Sequence, residues 1–476
     1  MAGSLGVWMN GEHVGVWRTS RTGTATFKYD MNWMRSPSTR ALSLSLPITA
    51  GESEHRGDVV DNFFENLLPD STSIRKRISL RFRTKSTAAF ALLTAIGRDC
   101  AGAVQLLPEG AEPQGWNRIE SEPLDEEQVE RILIDATSDV PLGQRNENDD
   151  FRISIAGAQE KTALLRFGGV WRRPHAATPT THILKLPLGM VGNMRADMTD
   201  SVENEWLCAQ IARELGLSVA ATEMATFGRQ RTLVVERFDR RWQGITDNAQ
   251  NAGGFIPADG TWIARLPQED MCQATGTPPT RRYESDGGPS MLTCLEVLAS
   301  SERADLARTH FVLTQLVFWL LAATDGHAKN FSIFHHRGGT FDVTPLYDVI
   351  SAWPIIGNGP NLLPEHDARL AMGLHSRNAH YKLREIRVRH WMDLARNCGV
   401  PGVWDQMLAM VREVDDALGR VEKKLPKDYP ARIWNRVNAG VKRYAMQFLQ
   451  EADSAGQPDP TDGAANRRML GLPVGD

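Results

Sequence analysis

The chain has 476 residues, 41% hydrophobic and 24% charged, which is too long for one ordinary core and suits a globular protein of two or three domains. A formal net charge of −4 excludes any global pull toward nucleic acid or membrane surfaces and leaves only local patches. Five scattered cysteines without a CxxC pair exclude a disulfide framework or zinc site and point to a reducing compartment.

In chain order, Val7–Met9 and Val14–Trp17 flank Asn10-Gly11, a strong hairpin signal. The opening segment lacks a basic region followed by an apolar run, so no signal peptide is expected. Strand-like pieces follow at Thr24–Tyr29 and Leu42–Leu46. Helical spacing appears at Asp61–Leu68 and Ala88–Ile96. Residues 1–108 are therefore expected to form an N-terminal α+β subdomain. Residues 109–150 are expected to be a linker with one short helix at Glu126–Ala136, since 108–123 is rich in Pro, Gly and Glu.

Residues 151–239 read as strand, strand, strand with Lys185, helix with Glu203 and Glu205, strand, strand. That is the order of a protein-kinase small lobe. Asp200 is expected to cap the helix. Gln243–Thr261, rich in Asn, Gly, Ala and Asp, reads as a flexible insertion. Residues 240–452 are expected to form a helical C-terminal lobe, with helices at Ser290–Leu298, Arg303–Ala323, Val403–Leu425 and Pro430–Glu451. The most apolar run, Phe311–Ala323, falls short of the about 20 residues needed to span a bilayer. It suits a helix buried in a lobe, so no membrane contact is expected. Residues 453–476 read as a disordered tail.

The chemistry concentrates in ATDGHAKN, residues 323–330, followed by Tyr347-Asp348. Asp325 opens a loop after the buried helix, where a carboxylate can take a proton from a hydroxyl attacking a γ-phosphate. Asn330, five positions on, and Asp348, beyond a hairpin, supply hard oxygens suited to Mg²⁺. Singly, each of these residues would read as a loop cap; the spacing and the hairpin together favour function. Lys185 lies in an apolar strand where a lysine needs a partner, either phosphate or a carboxylate of the next helix. A strand lysine reaching out to water is the plainer alternative. Glu236, Arg237, Phe238 and Asp239 lie where a hinge would meet adenine and ribose, or they form a simple connector. The loop at Ser154–Lys161 has one glycine and fits neither GxGxxG nor a Walker pattern. The basic stretch containing Arg396 reads first as a solvated helix face and second as a phosphate contact.

At these residues the chain resembles the HipA family of bacterial serine/threonine kinases. The resemblance is carried by FRISIAGAQEKTALL, PTTHILKLPLG, VVERFDRRW, RLPQEDMCQ, YESDGGP, ATDGHAKNFS and TPLYDVISAWP, and it runs from about residue 5 to about 450. It implies an α+β, two-lobed protein-kinase-like fold and a toxin of a type II toxin–antitoxin pair using ATP and Mg²⁺. The implied target is an aminoacyl-tRNA synthetase, glutamyl-type, whose phosphorylation halts translation and produces growth arrest and persistence. The resemblance implies Asp325 as base, Asn330 and Asp348 as metal ligands and Lys185 as a phosphate ligand. Ala156, Gly157, Ala158, Gln159, Glu160 and Lys161 would form the nucleotide loop, and Glu236 to Phe238 the hinge, with Asp239 also at the ATP site. His327, Lys329 and Tyr347 would belong to the ATP site. Ser154 would be an inactivating autophosphorylation site. A HipB-like helix-turn-helix antitoxin dimer and, through it, operator DNA would be partners, with Arg396 a loose match to a DNA contact. The location implied is cytoplasmic, at the nucleoid when bound to antitoxin and DNA. A non-catalytic, nucleotide-binding co-repressor scaffold is the alternative, and a small-molecule or lipid kinase on the same fold a third reading.

Overall fold

Asn10 and Gly11 turn the chain at φ of 47° and 84°. Two successive positive φ values match the twist of a tight hairpin. Strand β1 (Gly3–Met9) therefore pairs with β2 (Glu12–Thr19), Met9 opposite Glu12. The computed structural model describes residues 3–49, 54–137, 157, 159–192, 194–245 and 257–455. They divide into two compact units interleaved along the sequence. The first takes Met1–Leu186, Ala221–Arg281 and Ser332–Thr344, and the second takes Pro187–Ala220, Arg282–Phe331 and Pro345–Asp476. The region expected as a helical lobe thus contributes 240–281 and 332–344 to the first unit. The expected small lobe contributes 187–220 to the second.

In the first unit, β1 and β2 join β3 (Ala25–Tyr29), β4 (Glu54–Arg56) and β5 (Gln105–Pro108) in an antiparallel sheet of order β4-β3-β2-β1-β5. One helix here, α1 (Met31–Arg35), follows β3 directly; α2 (Asp58–Glu65), α3 (Thr72–Arg81) and α4 (Ala89–Ile96) come later. Trp17, Phe27, Phe64, Leu92 and Leu93 are fully enclosed, and Trp17 stacks on Phe64 with ring centroids 3.9 Å apart. Residues 42–46 are not a strand. The Tyr29 hydroxyl accepts from the Leu42 N–H at 2.7 Å and donates to the Leu46 carbonyl, folding the segment into a turn.

A six-stranded sheet completes most of this unit. It contains β6 (Ser121–Pro123), β7 (Lys161–Phe167), β8 (Val170–Pro174), β9 (His182–Lys185) and the strands Thr222–Phe227 and Gln230–Glu236. Its order is Thr222–Phe227, Gln230–Glu236, β9, β7, β8, β6. Helix α5 (Glu126–Thr137) packs Val129 and Leu133 against Leu164, Leu184 and Val234. Residues 109–137 thus hold the expected helix and also a strand, since β6 extends the sheet and α5 covers it; residues 138–150 lie outside the described residues. The Gln243–Thr261 insertion leaves and re-enters a strand pair, with Gln243 opposite Trp262; its residues 246–256 lie outside the described residues.

The second unit is mainly helical. It opens with the antiparallel strand pair Gly189–Val191 and Ala196–Met198, followed by α6 (Ser201–Glu214), and includes helices Met291–Leu298, Ala304–Leu320, Val388–Cys398, Val403–Arg412, Val414–Glu422 and Ala431–Ala455. Asp200 makes no capping hydrogen bond; its carboxylate accepts from Arg432 at 2.8 Å instead. The stripe expected on one helix over Val403–Leu425 is buried, but Glu413, at φ −78° and ψ −6°, divides the segment into two helices. Helix Ala304–Leu320 is the centre of the unit. Phe311, Leu316, Phe318 and Leu320 are enclosed, each contributing about 1.5–3 kcal/mol by burial. Trp319 at its end meets the rings of Trp391, Tyr444 and Phe448 and donates its indole N–H to the Leu383 carbonyl at 3.1 Å. Gly440 lets the last helix approach Trp353 so closely that a Cβ there would lie 2.3 Å from the indole ring. No helix among the described residues is long and apolar enough to cross a membrane.

Candidate functional site

The central helix ends in a left-handed residue, Ala322, at φ 48°. The chain then turns out to Asp325, whose side chain is 68% exposed. Gly326 is required by contact, since a Cβ would lie 2.1 Å from the Phe318 ring. A short 3₁₀ turn, Ala328–Asn330, brings Asn330 back beneath the aspartate. The Asn330 amide nitrogen donates to the backbone carbonyls of Asp325 at 3.0 Å and Asp348 at 3.3 Å. One side chain thus ties together the three residues expected to carry chemistry. With the nitrogen so engaged, Oδ1 is the atom through which Asn330 would bind a metal. Asp348 is held at φ 60°, a conformation that costs an ordinary residue about 1–3 kcal/mol and that Asp tolerates better than most.

Residues not assigned a role from sequence hold this loop. The Asn204 amide and Ser351 backbone exchange two hydrogen bonds, at 2.8 and 3.0 Å. The Ser351 hydroxyl donates to the Leu321 carbonyl at 2.5 Å, and the Trp353 indole N–H to the Leu320 carbonyl at 2.9 Å. The segment after Asp348 is therefore fastened to the end of the central helix. Tyr347 donates to the Lys329 carbonyl at 2.8 Å. His327 and Lys329 are themselves buried. Tyr283 donates its hydroxyl to Asp325 Oδ1 and sets its ring edge-on to His327. Burial, followed by the Asp325 charge, pushes the Tyr283 phenol well above its ordinary value.

The other expected ATP-site residues lie in the first unit. Lys185 is buried on β9, opposite Leu233 on one side and Lys161 on the other. Gln159 donates to the Leu186 carbonyl at 2.6 Å, and Glu160 pairs with Arg77. Gly157, at φ 111°, bridges to Pro69 and accepts from the Asp70 N–H at 3.0 Å. Ser154, Ala156 and Ala158 lie outside the described residues. At the segment expected to be a hinge, the N–H groups of Glu236 and Arg237 donate to the carbonyls of Ala221 and Thr181.

The side chains of Arg237 and Asp239 have another employment. Arg237 bonds Asp239 at 2.8 Å and Asp99 at 3.3 Å; Arg240 bonds Asp99 at 2.8 Å and Asp239 at 3.1 Å; Arg265 reaches Asp99 at 3.4 Å. Asp239 also accepts from the Gly102 N–H at 2.7 Å. A ribose contact by Asp239 would have to break this enclosed network. Despite burial, the three guanidiniums hold Asp99 well below the usual carboxylate range. Burial lowers Arg265 to about 10. Arg396 is paired with Asp393 at 2.9 Å and its side chain is only 22% exposed.

Comparison with known proteins gives a consistent result. A family model described as the HipA N-terminal domain matches residues 5–107, and one described as the HipA-like C-terminal domain matches residues 153–424. A putative kinase of Sinorhizobium fredii, Y4mE, is 34% identical over 423 residues, covering 88% of this chain and 91% of that protein. The serine/threonine-protein kinase toxin HipA of Shewanella oneidensis is 27% identical over 418 residues, 85% of each. A chain in the solved Shewanella oneidensis complex of HipA, HipB and operator DNA matches with TM-score 0.74 at 23% identity, covering 94% of this chain and 98% of that one. The fold is thus the α+β, two-lobed, kinase-like architecture.

Proposed function

The chain belongs to the HipA family and is a kinase, and on that premise we propose that it is an ATP- and Mg²⁺-dependent serine/threonine protein kinase acting as the toxin of a toxin–antitoxin pair. The observation that carries this reading is the gathering of Asp325, Asn330 and Asp348 by the Asn330 amide. In the proposed mechanism Asp325 accepts the proton of a substrate serine or threonine hydroxyl and orients its oxygen for attack. Asn330 Oδ1 and the Asp348 carboxylate are hard oxygen donors. Two such donors completed by phosphate oxygens are what Mg²⁺ ordinarily takes. Bound there, the ion would neutralise charge on the β- and γ-phosphates.

Lys185, buried on β9, is proposed to bind phosphate. The loop Ala156–Lys161 is proposed to cover the phosphates, and the backbone of Glu236–Phe238 to meet adenine. The side chains of Arg237 and Asp239 act in this reading through their buried network. His327, Lys329 and Tyr347 are proposed to belong to the ATP site, with the Tyr347 hydroxyl held by the Lys329 carbonyl. Phosphorylation of Ser154 would add about −1.5 to −2 charge to the nucleotide loop and switch the enzyme off. The proposed target is an aminoacyl-tRNA synthetase, with growth arrest following, and the proposed partner is a HipB-like antitoxin on operator DNA. We do not extend the proposal to DNA contact by Arg396, whose guanidinium is held by Asp393.

The test is incubation of the full chain with Mg²⁺ and γ-labelled ATP, alone and with a bacterial lysate, followed by mass mapping. Label on Ser154 and on a synthetase is expected. Absence of label from every protein, the chain included, would end the kinase reading. Self-label away from Ser154 would remove only the switch.

A further inference from the structure

The segment Tyr283–Gly288 contains an adjacent Tyr and Glu that serve neighbours on different sides. Tyr283 is extended, at φ −85° and ψ 140°, so it and the next residue project in opposite directions. Tyr283 donates its hydroxyl to Asp325 Oδ1. The carbonyl before it, on Arg282, accepts from the Ala328 N–H at 3.3 Å. The segment is thus attached to the catalytic loop by a side chain and by backbone. Glu284 faces the hairpin formed by strands Arg369–His375 and Ala379–Lys382. Its side chain, 8% exposed, accepts from the Gly373 N–H at 2.7 Å, from His375, and from the Tyr381 hydroxyl. Gly287, at φ 86°, closes the turn behind the pair, and the Gly288 N–H returns to the Tyr283 carbonyl at 3.0 Å.

We propose that Tyr283 is a positioning residue for Asp325, and that Glu284 fixes Tyr283 by anchoring the segment to the 369–382 hairpin. This rests on the kinase reading with Asp325 as base. An aspartate that is 68% exposed has several rotamers open to it. A fixed phenol on Oδ1 selects one of them and leaves the other oxygen to face a substrate hydroxyl. Misplacing a reacting group by even a fraction of its reach is costly, because the attacking oxygen must be held in line. Burial and the Asp325 charge keep the phenol protonated, so it remains a donor throughout the working pH range. The Arg282 guanidinium lies over the Tyr283 ring, and the His327 imidazole is 4.0 Å from Asp325, longer than a hydrogen bond.

The test is the initial rate of self-labelling with γ-labelled ATP and Mg²⁺ in the full chain, as a function of ATP concentration. Wild type, Tyr283→Phe, Glu284→Gln and Asp325→Asn are compared, each with a melting curve. Tyr283→Phe is expected to lower the rate at saturating ATP by about tenfold, on the scale of one charge-assisted hydrogen bond. KM for ATP and the melting temperature should stay unchanged. Glu284→Gln should lower the same rate, less strongly, again without moving KM, and it carries the test if the Phe variant is unstable. An unchanged or raised rate in both variants overturns the proposal, and so does a change confined to KM. If wild type does not label, or Asp325→Asn labels normally, the kinase reading fails and the proposal with it. Loss in Asp325→Asn with no effect of Tyr283→Phe rejects the positioning role alone.

Discussion

Two clusters of charge in this protein are built on opposite plans. In the first unit Asp99, Asp239, Arg237, Arg240 and Arg265 are sealed from water, and every charge touches an opposite one. In the second, Asp325 stands 68% exposed at the end of a buried helix, with left-handed backbone at Ala322 and Asp348. The first arrangement can only be held still, since moving any member leaves a charge buried without its partner. The second carries its strain in the backbone and leaves its carboxylate accessible. The difference separates charge used to fix a buried segment from charge left accessible, where the proposed reaction would need it.

The contrast can be broken most severely at Asp99. Asp99→Ala leaves three guanidiniums with one carboxylate, and a loss of about 3–5 kcal/mol is expected in urea unfolding. A loss under about 1 kcal/mol would mean that water or rearrangement replaces the missing carboxylate. Gly440→Ala tests the packing beneath the loop that carries the proposed base. Trp353 is tethered to the Leu320 carbonyl and cannot retreat freely, so overpacking should cost about 1–3 kcal/mol by calorimetry.

Acid should act first through imidazoles. Burial, aided by Arg166, lowers His182 to about 4, and burial with His380 and Arg389 lowers His390 to about 4. The unfolded chain binds these protons at its ordinary value near 6.5 while the folded chain does not. Their stabilising contribution is therefore present above about pH 6.5 and is lost progressively as pH falls toward about 4. Asp99, held low by its arginines, keeps its contribution above about pH 4 and loses it only in stronger acid. Melting temperature should fall between pH 6.5 and 4.5, and His390→Asn should flatten that slope; an unaltered slope in the variant would exclude His390 as a source. The smallest effect has the opposite sign. Gly419, inside helix Val414–Glu422 with open space around it, should accept Ala with a gain of about 0.5–1 kcal/mol in urea unfolding.

Local rules were legible in the sequence. Asn10-Gly11 announced its hairpin because few other pairs adopt two positive φ values, and the spacing of Asp325 and Asn330 suited the contact the Asn330 amide makes with the Asp325 carbonyl. The Leu42–Leu46 segment misled because its alternation is that of a strand, while the Tyr29 hydroxyl claims its backbone. Helix α3 was not anticipated because only Ile74 is buried on it, so it lacks an apolar stripe. The arginine network was not visible because Asp99 meets partners 138 and 166 positions away. Tyr283 was hidden for the same reason at 42 positions from Asp325, although its motif had been singled out.

The most direct measurement is the rate of phosphoryl transfer from γ-labelled ATP by Asp325→Asn beside wild type, with urea unfolding of both. A fall of about 10²–10⁴-fold is expected, the share of a general base, with stability within about 0.5 kcal/mol because an exposed side chain is changed. Transfer at the wild-type rate in the folded variant would contradict Asp325 as the base.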